Sequence, residues 1–175
     1  MKRTMWIAAV ACFIVVAANS QTPDTTTLTK IGQMIPEFSA TTLDGTTVST
    51  RELKGRVVLI NFFATWCGPC MGEMPHVEKE IWQQLKSENL VVLAIGREHS
   101  REELIRFNKE KGFTFLIAPD PRREIYSKFA TQFIPRNYVI GKNGRIVFQS
   151  MGFAPEDFSK MIELIKAQLK AASSP

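Results

Sequence analysis

Residues 57–75 read VVLINFFATWCGPCMGEMP, and the reading of this stretch decides the fold. Val57 to Phe63 are rich in β-branched and aromatic side chains, a run that suits a strand buried on both faces. The run ends in Trp66-Cys67-Gly68-Pro69-Cys70, and a helical pattern follows. A C-x-x-C between a buried strand and a helix points to thiol–disulfide chemistry. A cysteine at a helix N-terminus faces unpaired backbone N–H groups and the positive end of the helix dipole. Both favour the thiolate, which is the attacking species. The second cysteine lies three residues on, about one turn away, within reach of a disulfide.

Upstream, Lys2 and Arg3 precede an apolar run from Ile7 to Ala18, and Ala18-Asn19-Ser20 has the small-x-small form of a cleavage site. Residues 1–20 are expected to be a secretory signal peptide; the apolar run is short of the ~20 residues a spanning helix needs. The alternative is an uncleaved anchor, and membrane contact is expected only if the segment is retained. Cys12 as a lipidation site is disfavoured, because few apolar residues precede it. Removing residues 1–20 leaves 155 of the 175 residues, Cys67 and Cys70 as the remaining cysteines, and a net charge of +3 (20 basic against 17 acidic residues). That length fits one domain with a substantial core. A pair closing so small a loop contributes little chain entropy, so reactivity is the better reason for it. Basic residues at Lys109, Lys111, Arg122, Arg123 and Lys128 are interleaved with acids, as on solvated helix faces, and no nucleic-acid motif accompanies them.

The polar, Thr-rich residues 21–30 are expected to be a flexible spacer, residues 31–170 one domain, and 171–175 a frayed tail. Asp44-Gly45 between β-prone runs, and Asn143-Gly144 between apolar runs, signal hairpins. After the C-x-x-C a helix is expected over about Gly68 to Ser87, kinked at Pro75. Leu90 to Ile95 make a second buried strand. Ser100 and Glu103 form a capping box for a helix over about 101–111, stopped by Gly112. Phe113 to Ala118 are a third apolar run, broken by Pro119-Asp120-Pro121. A helix over Arg122 to Gln132 would turn Ile125, Tyr126 and Phe129 inward. Strands at about Tyr138 to Ile140 and Arg145 to Ser150 follow, then a last helix opened by Pro155. This order gives an α/β domain: a central mixed sheet with helices on both faces and an N-terminal hairpin.

NFFATWCGPCMGEMP, with FIP at 133–135 and the KNG hairpin at 142–144, resembles the thioredoxin-like proteins. More narrowly it is similar to the exported TlpA/ResA-type thiol–disulfide oxidoreductases. The resemblance implies that Cys67 is the nucleophile, Cys70 the buried resolving thiol, and Pro135 the cis-proline facing the disulfide. Trp66, Gly68 and Pro69 would then line the substrate side, and the Ile134 backbone would pair with an extended substrate segment. Thioredoxin itself has a buried aspartate where this chain has Asn61, which cannot take a proton. The exported subfamily instead places a glutamate three residues after the second cysteine, and Glu73 stands there. In an apolar pocket its pKa should rise, suiting it to accept a proton from Cys70. Arg136 stands where threonine is common, a cation expected to stabilise the Cys67 thiolate or select acidic partners.

The function implied is extracytoplasmic reduction of protein disulfides through a mixed disulfide, with a membrane thiol donor of the DsbD/CcdA type restoring electrons. No cofactor is expected beyond the Cys67–Cys70 disulfide. No metal is expected either, since zinc needs more ligands than His76 and His99 supply. His76 reads as an exposed helix residue and His99 as a loop residue. A thiol peroxidase of the same fold is one alternative, weakened by the lack of a P-x-x-x-T-x-x-C pattern around Cys67. A non-enzymatic peptide-binding adaptor is the other, and it would work without Cys67.

Overall fold

A computed structural model describes residues 24–171 apart from residue 88. The expected signal segment, residues 21–23 of the spacer and residues 172–175 lie outside the described residues. Among the described residues no helix is long and apolar enough to cross a membrane.

The chain runs through a short hairpin, β1 (Ser39–Thr41) and β2 (Thr47–Ser49), to β3 (Val57–Phe63), whose residues are all buried. There follow α1 (Gly68–His76), a π-helical stretch (Val77–Trp82) and α2 (Gln83–Leu85). Next come β4 (Leu90–Arg97), α3 (Arg101–Lys111) and β5 (Leu116–Asp120). A 3₁₀ turn (Tyr126–Lys128), β6 (Arg136–Ile140), β7 (Ile146–Met151) and α4 (Pro155–Lys170) complete the domain. The five-stranded sheet has the order β5-β4-β3-β6-β7. β3 pairs in parallel with β4, and β4 with β5, while β6 and β7 add on antiparallel.

Strand alternation divides the core into two. Val57, Leu59 and Phe63 face one cluster with Cys70 and Met74 of α1, Val77 and Ile81 of the π-helical stretch, Leu104 and Phe107 of α3, and Phe158, Met161 and Ile165 of α4. Val58, Ile60 and Phe62 face the other, closed by Val48 of the hairpin, Leu53, Tyr126 and Phe129. The expected mixed sheet flanked by helical elements is therefore present, with the second face covered by the hairpin and the 3₁₀ turn.

Several boundaries differ from the sequence reading, each for a physical reason. The helix expected over 68–87 does run on through Pro75, but directly after that residue it changes to a π-helical stretch and ends at Leu85. Pro119 lies inside β5, which a sheet edge tolerates. The expected helix over 122–132 is reduced to one 3₁₀ turn. There Asp120 accepts from the N–H groups of Ile125 and Tyr126, Arg123 is left-handed (φ 60°), and Ala130 bridges to Thr27. Ile125, Tyr126 and Phe129 are nevertheless buried, as expected. The capping box at Ser100 and Glu103 and the left-handed Gly112 stop are present.

The spacer expectation needs correction for residues 24–30. Leu28 donates its N–H to Phe129 O, Thr29 Oγ1 donates to Gln149 Oε1, and Arg136 donates to the hydroxyls of Thr26 and Thr27. A buried guanidinium needs acceptors, and this arm supplies them.

Candidate active site

Cys67 caps the N-terminus of α1 from an extended conformation (φ −85°, ψ 107°). The chain arrives there because β3 ends at Phe63 and a turn closes by a bond from Cys67 N to Ala64 O (3.1 Å). Gly68 and Pro69 occupy the first helical positions, where a missing proline N–H costs nothing. The N–H of Cys70 donates to Cys67 Sγ at 3.2 Å, so the first turn directs a backbone dipole at this sulfur. Cys67 and Cys70 are joined in a disulfide, with Cα atoms 5.3 Å apart. Cys67 is 6 % exposed and Cys70 fully buried, so Cys67 is the more accessible of the two.

Across from the disulfide lies the cis Ile134–Pro135 bond, with Ile134 O 3.8 Å from Cys67 Sγ. Trp66, directly before Cys67, is 64 % exposed, and Phe133, directly before Ile134, is 54 % exposed. Arg97 stacks its guanidinium over the Trp66 ring at 5.7 Å and over Tyr126 at 5.1 Å. The Tyr126 hydroxyl in turn donates to Phe133 O at 2.6 Å. The sequence reading missed Phe133, though an aromatic residue directly before the Ile-Pro pair was a signal that could have flagged it.

Glu73 lies one turn beyond Cys70, on the buried side of α1 and 1 % exposed. It meets two asparagines from adjacent strands. Asn61 Nδ2 donates to Glu73 Oε2 (2.9 Å), and Asn137 Nδ2 donates to Glu73 Oε1 (2.6 Å). Burial pushes the carboxyl up to about 7, while these two hydrogen bonds and the neighbouring His76 restrain the rise. Asn137 was not singled out from the sequence. Its signal was a second polar residue in an otherwise apolar strand, in register with Asn61.

Arg136 is not where the sequence reading wanted it. Successive strand residues point to opposite faces, so Asn137 turns toward Glu73 and Arg136 turns away with Tyr138 and Ile140. Its side chain is 1 % exposed and donates to Gln132 O, Thr26 and Thr27, with Asp24 at 3.7 Å. These contacts lie on the face away from Glu73, and through them Arg136 anchors the N-terminal arm. His76 is half exposed and pairs with Glu80. His99 lies in a loop but is buried, and its Nε2 accepts from the Thr65 N–H at 3.0 Å, steadying the turn before Trp66. Among the described residues no group of three or more His, Cys, Asp or Glu side chains is placed to hold a metal.

Comparison with known proteins agrees with this geometry. Residues 31–149 match the AhpC/TSA family. The thiol-disulfide oxidoreductase ResA of Bacillus anthracis is 30 % identical over 123 residues, covering 70 % of each chain. ResA of Halalkalibacterium halodurans is 28 % identical over 142 residues, covering 81 % of this chain and 80 % of that one. Among solved structures, a Bacteroides thetaiotaomicron protein provisionally described as a protein disulfide isomerase superposes with a TM-score of 0.80. It is 34 % identical, covering 83 % of this chain and 94 % of that one.

Proposed function

The chain belongs to the AhpC/TSA family as a thiol–disulfide oxidoreductase of the TlpA/ResA type, and on that premise we propose that it reduces protein disulfides outside the cytoplasm. The observation that carries the reading is one arrangement. A Cys67–Cys70 disulfide caps a helix, its outer sulfur sits beside Ile134 O, and a buried carboxyl lies one turn behind the inner sulfur.

In the reduced enzyme the Cys67 thiolate attacks one sulfur of a substrate disulfide. That S–S bond breaks, a mixed disulfide forms, and one substrate thiolate leaves. The Cys70 thiol then gives its proton to the Glu73 carboxylate and attacks Cys67 Sγ. The second substrate sulfur leaves as thiolate, and the enzyme keeps the Cys67–Cys70 disulfide. Two electrons have passed from the dithiol to the substrate. A group titrating near 7 is matched to accepting a proton at neutral pH. Trp66, Gly68, Pro69 and Phe133 offer the substrate an apolar landing surface, and the Ile134–Pro135 segment offers backbone for an extended chain.

Export rests on the sequence of residues 1–20. An exported reductase needs electrons from across a membrane, and a thiol transporter of the DsbD/CcdA type fits that need. The Gly68-Pro69 dipeptide supports reduction over oxidation. The test is the reduction potential of the pair, measured against glutathione. A value well below that of the glutathione couple supports a reductase; a value well above it would make the protein an oxidant.

A further inference from the structure

Asn61 and Asn137 sit side by side in β3 and β6, each 1 % exposed in a strand whose residues are all buried. Buried amides in such strands are costly unless paired. With Glu73 they close a ring of three contacts: Asn61 Nδ2 to Glu73 Oε2 at 2.9 Å, Asn137 Nδ2 to Glu73 Oε1 at 2.6 Å, and Asn61 Nδ2 to Asn137 Oδ1 at 2.8 Å. Asn61 thus presents one amide atom to both neighbours, whereas Asn137 presents one atom to each.

We infer that Asn61 and Asn137 are positioning residues that hold Glu73 as a carboxylate, so that the buried site can take a proton from Cys70; this rests on the reading of Glu73 as proton acceptor. The argument is one of matching donors to acceptors. A carboxylate accepts at both oxygens, and all three contacts are then made. A protonated carboxyl accepts at one oxygen and donates at the other. Each amide can exchange its N and O by a half-turn, giving four settings of the pair. In every one of them the protonated acid leaves a contact mismatched, donor against donor or acceptor against acceptor. Turning Asn61 alone, for example, lets its Oδ1 accept from the acid but sets that oxygen against Asn137 Oδ1. Turning both repairs that contact and sets an amide oxygen against an unprotonated acid oxygen. The preference therefore survives any assignment of the amide atoms. In the observed setting Asn61 Oδ1 is buried with no hydrogen-bond partner among the described residues, while both amide nitrogens stay on Glu73.

The rest of the surroundings adds little charge. His76, on α1 itself, favours the carboxylate. Cys70 is neutral in the disulfide. Asn61 is paired with Ala94 of β4, α4 contributes Phe158, Met161 and Ile165 to this core, and Arg136 of β6 turns to the opposite face.

The test follows the Glu73 carboxyl carbon by ¹³C NMR against pH in the oxidised protein, with Glu73→Gln to assign the signal. The wild-type midpoint is expected near 7. Asn137→Leu removes one charge-assisted hydrogen bond and should raise the midpoint by about one to two pH units. Asn61→Leu should raise it at least as far, since Asn61 serves two contacts. Asn137→Ala, a smaller change, should move it the same way and stands in if a leucine variant fails to fold. A midpoint unmoved or lowered in the folded variants overturns the inference. The pH profile of insulin reduction separates the two readings. If Glu73→Gln leaves that profile unchanged, the proton-acceptor role falls, while the NMR midpoints still judge the asparagine pair.

Discussion

Replacing Glu73 with glutamine should change how the stability of the oxidised protein depends on pH, in a direction opposite to that of an ordinary surface carboxylate. The folded carboxyl titrates at about 7, against 4.5 for an unperturbed glutamate. Between those values the unfolded chain has released the proton while the folded chain keeps it. The unfolded state then binds fewer protons, so stability falls as pH rises. Glu73 thus contributes fully below about 4.5, loses its contribution through the interval, and has lost it above about 7. At 1.36 kcal/mol per pH unit the interval amounts to about 3 kcal/mol. For a domain of this size that is about 6–12 °C in Tm. Glutamine does not titrate, so the Glu73→Gln curve lacks this decline and other groups cancel in the comparison. Urea or thermal unfolding of both oxidised proteins at pH 5, 6, 7 and 8 measures the difference. The wild type should lose about 2.5 kcal/mol relative to the variant across that range, since part of the decline lies below pH 5. Parallel curves would show that burial does not hold the Glu73 proton, and the reasoning would fail.

Trp66→Ala should slow reduction of insulin by about tenfold, equal to 1.4 kcal/mol, and spare a small aromatic disulfide; equal losses on both would remove Trp66 as a protein-docking residue. Arg136→Ala should lower unfolding stability by about 2–3 kcal/mol through lost charged hydrogen bonds and leave the alkylation rate of Cys67 in the reduced protein unchanged. An altered rate at unchanged stability would restore Arg136 to the site. Gly96→Ala would put a Cβ 2.6 Å from Leu104 Cδ1 and 2.9 Å from Cδ2. Leu104 is fully buried, so the variant should lose about 1–3 kcal/mol; unchanged denaturant midpoints would show that α3 can shift freely.

What the sequence disclosed was local. The apolar run into Cys67, the Ser100–Glu103 capping box and the Asn143-Gly144 turn are each set by a few adjacent residues, and each stands in the structure. Glu73 was legible because helical spacing puts it one turn from Cys70. Asn137 was not, because its meaning depends on register with Asn61, 76 residues away. Arg136 was misread for the same reason: only strand parity shows that it and Asn137 face opposite sides. The helix expected over 122–132 had suitable spacing, but Asp120 and the N-terminal arm claimed its backbone groups. His99 looked like a loop residue and is one, yet its bond to Thr65 appears only once β4 and the active-site turn are side by side.

The account stands on Cys67 exchanging disulfide bonds with another protein while Cys70 resolves the product. Mixing reduced Cys70→Ser protein with a disulfide-containing protein such as insulin, then separating the products without reductant, tests this directly. A covalent adduct through Cys67, dissolved by dithiothreitol and absent from Cys67→Ser, is the expected result. No adduct at all, or an equal one with Cys67→Ser, would contradict it.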